Sequence, residues 1–181
     1  MPRFVALLRG VNVGGAKRVP MAEFRAMLEA SGYRDVQTLL NSGNAVFSSN
    51  GRSGSAHASR IQAAIADTLH LEVPVVVKSA QEMAAVAAGN TLAAIASDPS
   101  RLLVAFTRDA AALRALAPVA ALAGAADQVV VGAHAMYLWC PGGILESKAA
   151  AALLGKPGKG ATTRNWATVL KISALLGQAG D

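Results

Sequence analysis

The sequence predicts an α+β protein built from two ferredoxin-like units, with a helical link between them and a helix at the C-terminus. Three observations carry that expectation. Residues 4–77 alternate strand-like and helix-like patterns in the order β-α-β-β-α-β, the split βαβ arrangement. The later part of the chain repeats most of that order. A short echo, Val5-Ala6-Leu7-Leu8-Arg9 against Val104-Ala105-Phe106-Thr107-Arg108, sets the same apolar pattern at the start of each half. The expected division is 1–80 for the first unit, 81–100 for the link, and 101–181 for the second unit with its C-terminal helix.

Phe4 to Arg9 is a short apolar run halted by Gly10, the pattern of a strand buried on both faces. A helix follows. Pro20 suits its first turn, Glu23 complements the positive N-terminal end, Met21, Phe24, Met27 and Leu28 form one stripe, and Gly32 supplies the stop. Strands at Asp35 to Leu40 and Ala45 to Ser48 flank Asn41-Ser42-Gly43-Asn44, residue types that tolerate the positive φ of tight turns. Gly51 to Ser55 reads as a connector, with His57 in polar chain just beyond it. Ser59 to Leu69 carries Ile61, Ile65 and Leu69 at helical spacing, and Val73 to Val77 is a β-branched strand.

In the second half, Leu102 to Thr107 reads as a strand, Ala110 to Leu116 as a helix, Gln128 to Val131 and Ala135 to Trp139 as a hairpin, and Glu146 to Leu154 as a helix. Ala84 to Ala96, interrupted by Gly89-Asn90, forms the link. The closing helix runs from about Arg164 to Leu176, and its stripe Trp166, Val169, Leu170 and Leu176 is assigned to core. No final strand is visible in the second unit; Gly155 to Ala161 stands in its place. A lone ferredoxin-like unit covers one sheet face with helices, yet both opening strands are apolar on both faces. The other face therefore needs a cover, from the other half or from a second chain.

Composition narrows the classes. The 181 residues include 17 Lys/Arg and 11 Asp/Glu, a net charge of +6 on a chain only 15% charged and 4% aromatic, so the core must come from Leu, Val, Ile, Ala and Met. A chain of this length buries roughly 70% of its unfolded surface and needs no disulfide or metal to fold. The single Cys140 agrees, reading as a buried thiol beside Trp139. Arg9 interrupts the apolar opening run, against a secretory leader. The charge-free stretch from Gln128 to Leu145 approaches the roughly 18 residues of a membrane span, but Gly132, His134 and Pro141-Gly142-Gly143 divide it. The expected setting is a soluble bacterial-type cytoplasm, with no membrane partner.

In a βαββαβ unit the loop after the first strand and the hairpin turn lie at the same end of the sheet. The Arg9 to Arg18 loop and the Asn41 to Asn44 turn are therefore expected together, where Arg9, Asn12, Gly14, Gly15, Lys17, Arg18, Asn41, Ser42 and Asn44 offer cations, amides and backbone N–H groups to an anion. The loop is not a P-loop: Ala16 follows Gly15, Lys17 comes one place late, and Arg18 stands where a hydroxyl should. A Gly-x-Gly-x-x-Gly fingerprint is also absent. The bland alternative is that these residues only shape a long connection and an ordinary turn.

A second candidate runs from Lys156 to Arg164, a basic glycine-rich loop leading into the last helix. Thr162 or Thr163 could cap that helix, and Arg164 in its first turn would oppose the helix dipole by roughly 0.3–1 kcal/mol, which a bound anion would explain. Thr163, Arg164 and Asn165 thus join the candidate ligand-binding set, with an exposed loop whose Arg164 pairs with an acid elsewhere as the bland alternative. If the two loops met, Arg9, Lys17, Asn41, Asn44 and Arg164 would form one polyanion site. His57, His70 and His134 have no motif partners, zinc-ligand spacing and nucleophile elbows are absent, and no metal or cofactor is expected. Ser42 would act as a nucleophile only with a base beside it.

The segments Leu7-Leu8-Arg9-Gly10-Val11-Asn12-Val13-Gly14-Gly15, Pro20-Met21, Asn41-Ser42-Gly43-Asn44-Ala45-Val46-Phe47, and Thr162-Thr163-Arg164-Asn165-Trp166 with Val169-Leu170-Lys171 resemble the bacterial domain-of-unknown-function family numbered 1697 over essentially the whole chain. The resemblance implies a duplicated ferredoxin-like fold and no established activity, so it supplies no catalytic residues. Two departures stand out: Ala167 replaces a frequent Asn, and the Gly-Lys-Pro-Gly-Lys-Gly stretch before the last motif is longer than usual.

The favoured function is binding of a phosphate-bearing ligand, such as a nucleotide, at these basic loops. One alternative is nonspecific nucleic-acid binding through a basic edge, suggested by a pI near 10.0. Base stacking on the sheet is disfavoured, because only Phe4 and Phe47 lie on the strands that would carry it. A structural or partner-binding homodimer is the other alternative. Whether any reaction is catalysed is left open.

Overall fold

The computed structural model describes residues 1–178. Strand β1 (Arg3–Leu8), helix α1 (Met21–Ala30), strands β2 (Arg34–Leu39) and β3 (Asn44–Ser48), helix α2 (Gly54–Leu69) and strand β4 (Val75–Ser79) form the first β-α-β-β-α-β set. Helix α3 (Ala80–Ala88) and short 3-10 turns at Thr91–Ala94 and Pro99–Arg101 follow. The second set comprises β5 (Leu102–Thr107), α4 (Ala110–Arg114), α5 (Ala117–Ala120), β6 (Gln128–Val131), β7 (Ala135–Trp139), α6 (Lys148–Leu154) and β8 (Ala161–Asn165), and α7 (Trp166–Gly177) ends the chain. The two antiparallel sheets have the orders β2-β3-β1-β4 and β6-β7-β5-β8. These are the same order, so the fold is two ferredoxin-like units, and the echoed segments fall on equivalent central strands β1 and β5.

By contacts the chain divides into a first unit of Met1–Gln81 with the segment from Ile172, and a second unit of Glu82–Lys171. The segment from Ile172 belongs with the first unit physically, because Arg3 Nη1 at the head of β1 donates to the carbonyl oxygens of Leu175 at 2.9 Å and Leu176 at 3.3 Å, and also to that of Gln178. A guanidinium there satisfies carbonyls that the end of a helix leaves unpaired. The last three residues of the expected second unit, 179–181, lie outside the described residues.

In the first unit α1 and α2 cover one sheet face. Phe24, Leu28, Ile61 and Ile65 are buried there against Phe4, Ala6, Leu8, Ala45 and Phe47. Helix α1 ends as its sequence suggests: Tyr33 N–H donates to Leu28 O and Gly32 N–H to Glu29 O, the paired bonds of a Schellman stop. The opposite-face residues Val5, Leu7, Val46 and Val76 are buried too. In the second unit Leu103, Ala105, Met136, Leu138 and Leu153 make the helix-covered core, and Val104, Phe106 and Tyr137 on the other face are buried as well.

Several boundaries differ from expectation. The final strand of the second unit exists: Ala161–Asn165 pairs antiparallel with β5, Arg164 opposite Val104. Arg164 is therefore in a strand, and neither Thr162 nor Thr163 caps α7; Asn165 Oδ1 accepts from Thr168 N–H at 2.9 Å instead. Helix α2 starts at Gly54, because Ser53 Oγ accepts from Ala56 N–H at 3.2 Å and turns the supposed connector into a capped helix start. His57 consequently lies inside α2 and is buried, not in polar chain. Leu170 is 48% exposed and leaves the core stripe, whose inner positions are Val169, Ile172 and Leu176.

Candidate functional site

The long connection between β1 and α1 has internal structure. Gly14 and Gly15 at φ 60° and 78° form a two-residue reverse turn, with Ala16 N–H on Val13 O at 3.2 Å and Asn12 N–H on Lys17 O at 3.1 Å. Positive φ at both central positions is the left-handed geometry that glycine adopts without cost. Asn12 and Lys17, at φ 57° and 48°, flank the turn, and Leu40 at φ 59° precedes the hairpin turn. Strained backbone of this kind collects where surrounding structure holds it in place.

Asn12 is the bracket. Its Nδ2 donates to Val19 O at 2.9 Å and Asn41 O at 2.7 Å, while its Oδ1 accepts from Val19 N–H at 2.9 Å. The side chain thus ties the glycine turn to the hairpin turn and uses both of its amide protons doing so. A second tie is Leu8 N–H to Gly43 O at 2.9 Å. Gly43 must be glycine: its φ is 89°, and a Cβ there would sit 2.7 Å from Leu8 Cβ.

Between these turns is a cavity of about 330 Å³ lined by Asn12, Gly15, Arg18, Val19, Pro20 and Asn41. Among the described residues, the Arg18 guanidinium and the Asn41 side-chain amide have no protein partner. Pro20 is the residue before α1 and supplies no side-chain cap, while the first helical bond is Phe24 N–H to Pro20 O at 3.0 Å. The N–H groups of Met21, Ala22 and Glu23 are thus left at an uncapped helix start, the positive end of the helix dipole. The Glu23 carboxylate in the first turn offsets part of that charge.

The remaining sequence candidates have other positions. Arg9 is half-buried, its N–H bonds Pro74 O at 3.0 Å, and burial pushes its guanidinium down from its usual pKa. Lys17 Nζ donates to Glu72 O at 2.7 Å, strapping the loop to the chain before β4. Asn44 is buried and donates to Leu39 O at 2.8 Å and Ser42 Oγ at 2.9 Å, so it braces the hairpin from inside. Thr163, Arg164 and Asn165 belong to the second unit, where burial lowers the Arg164 pKa to about 10 and its Nη1 donates to Thr163 O. Val19 and Pro20, which were not among the ligand candidates read from the sequence, line the cavity; the available signal was a proline with no capping side chain at a helix start.

Other groups are structural. His57 Nδ1 lies 3.0 Å from the Tyr33 hydroxyl and Nε2 lies 3.1 Å from Gly51 O, within a ring cluster with Phe4 and Phe47. The Gly51 carbonyl can only accept, so Nε2 donates, and in the neutral ring Nδ1 accepts from the tyrosine. Cys140 is fully buried, and burial pushes its thiol up, away from the reactive thiolate. No group of His, Cys, Asp and Glu suited to a metal ion occurs among the described residues. Likewise, no described helix is long and apolar enough to cross a membrane.

With the site in place, the chain can be compared with known proteins. A family model, DUF1697, described as a protein of unknown function, matches residues 1–137. The chain belongs to the DUF1697 family. The DUF1697 match contains every cavity-lining residue and ends within β7, before the Thr162–Trp166 motif. Among solved structures, the chain is similar to the conserved bacterial protein SP0830 from Streptococcus pneumoniae, with 24% identity and a TM-score of 0.80 over 97% of this chain and 98% of that one. Likeness at that identity speaks to fold alone. No curated protein matches the sequence.

Proposed function

We propose that this DUF1697 protein binds a small phosphate-bearing ligand, such as a nucleotide, in the Asn12–Asn41 cavity. One observation carries the proposal: Arg18, Asn41 and Pro20, the residue that precedes the uncapped start of α1, line a single concavity. Guanidinium and backbone N–H donors are the groups that hold phosphate oxygens. A volume of about 330 Å³ is at the low end of ligand sites, which run from roughly 300 to 1,000 Å³. That suits a mononucleotide or a sugar phosphate better than a dinucleotide. Base stacking on the sheet has no support, because Phe4 and Phe47 are buried and stacked on each other with centroids 5.6 Å apart.

A thermal-shift panel of inorganic phosphate, nucleotides and sugar phosphates tests the proposal. A ligand at about 100 times its Kd should stabilise the fold by roughly 2.7 kcal/mol, and Arg18→Ala should remove most of that shift. No stabilisation by any phosphate compound, or a shift unchanged in Arg18→Ala, would count against it. Single-stranded RNA in the same panel at low and physiological salt covers the nucleic-acid alternative, whose contacts weaken steeply with salt.

A further inference from the structure

We infer that the protein self-associates through β6, which pairs antiparallel with β6 of a second copy about a two-fold axis at Val130. The inference is independent of the ligand proposal.

Strand β6 is the last strand of its sheet, and the Thr91–Ala94 turn packs near both it and β7. Gly132 N–H donates to Ala135 O at 2.9 Å and closes a two-residue turn, so the hydrogen-bonded pairs along the hairpin are Gly132–Ala135, Val130–Tyr137 and Gln128–Trp139. Val129 and Val131 alternate with these and turn their N–H and C=O groups away from β7. Among the described residues neither has a partner for them. Unpaired edges are normally blunted by charge, proline or a bulge. The other three edges are treated differently. Strand β2 carries Arg34 and Asp35, the latter at φ 52°, with a register shift between Arg34 and Gln37. Strands β4 and β8 are largely buried. Strand β6 reads Gln-Val-Val-Val in regular register, without charge or proline, and its Val131 is 53% exposed.

The strand is also complementary to itself. With Val130 facing Val130 of the second copy, Val129 of each chain faces Val131 of the other, and each of these two pairs exchanges both backbone bonds. The Asp127 end of one strand comes beside the His134 end of the other, so no like charges are opposed. The two four-stranded sheets then continue into one. A four-residue strand buries less than the roughly 1,200–2,000 Å² of a stable complex, so association is weak and rises with concentration.

Light scattering across a micromolar to millimolar series should show the mean mass climbing towards that of a dimer. Val131→Pro deletes an outward N–H that makes no bond within the chain and should weaken association at least about tenfold; Val131→Lys, at an exposed side chain, is the second disrupting variant. On oxidation Val130→Cys should cross-link across the axis, where Cα atoms about 4.5 Å apart fall in disulfide range. Gln128→Cys, which faces Gly132 of the second copy, should not cross-link. Cys140 is buried and leaves the introduced thiol to react. A strict monomer throughout the series would overturn the inference, as would a dimer indifferent to both Val131 variants or Gln128→Cys cross-linking as readily as Val130→Cys.

Discussion

At the scale of single residues, Asn12 governs the candidate site with no amide proton left to donate to a ligand. Both of its amide protons and its oxygen are committed to Val19 and Asn41. Asn12→Asp tests this, since it preserves shape and the bond to Val19 N–H but sets a carboxylate oxygen against two carbonyl oxygens that need a donor. The expected loss is about 1–3 kcal/mol in chemical denaturation, with faster hydrogen exchange over Gly14 to Lys17 and weaker phosphate binding. Unchanged exchange in that loop would mean the bracket is not what orders it. Gly43 in the hairpin turn and the Gly14-Gly15 pair were legible because their positive φ favours glycine, whereas Asn41, Ser42 and Asn44 do not adopt the positive φ that their residue types tolerate. The role of Asn12 was not legible, because a side chain's hydrogen-bond partners twenty-nine positions away leave no mark on local sequence.

At the scale of elements, β8 and α7 exchange the roles expected at Thr162 to Asn165. Asn165→Ala should cost about 1 kcal/mol, a typical value for a lost N-cap, seen as a Tm lower by roughly 2–4 °C. Thr163→Val should be neutral or stabilising, because Thr163 Oγ1 is buried without a hydrogen-bond partner and valine removes that cost while keeping a strand-favouring shape. The opposite ranking in thermal melts would return the cap to Thr163. The strand went unseen because five residues bounded by Gly160 and a helix give no room for a period-two pattern, and Thr-Thr suits a cap as well as a strand. Helix α2 lost its first turn to the same ambiguity, since Ser53 and Gly54 belong equally to loops and to helix starts. By contrast β1, β3, β5 and β7 were plain, as continuous apolar runs between breakers are the mark of central strands.

At the scale of the whole molecule, the net charge of +6 is distributed differently from what the two glycine-rich loops suggested. Arg164 is buried and Arg9 half-buried, so Arg18 becomes the cation of the candidate site. The chain's two tyrosines fall one in each unit, Tyr33 and Tyr137, and burial raises both phenols above their ordinary value of 10.0, with Arg60 opposing the rise at Tyr33. A raised phenol contributes stability that is complete below its unfolded value and is lost as pH climbs through its folded value. Alkaline titration should therefore show phenolate absorbance appearing above pH 10.0, with Tyr137→Phe reporting the first unit and Tyr33→Phe the second. Phenolate formation at or below the ordinary value in either variant would contradict burial of that ring.

The duplication also carries its own comparison. In the first unit twelve residues, Arg9 to Pro20, join the first strand to its helix, and that helix starts without a side-chain cap. The equivalent connection in the second unit is only Arg108-Asp109, and Asp109 Oδ1 accepts from Ala112 N–H at 2.7 Å. One copy of the fold therefore carries an acid at its first helix start as a permanent part of the chain, while the other keeps that position without one, as the proposed exchangeable anion would require.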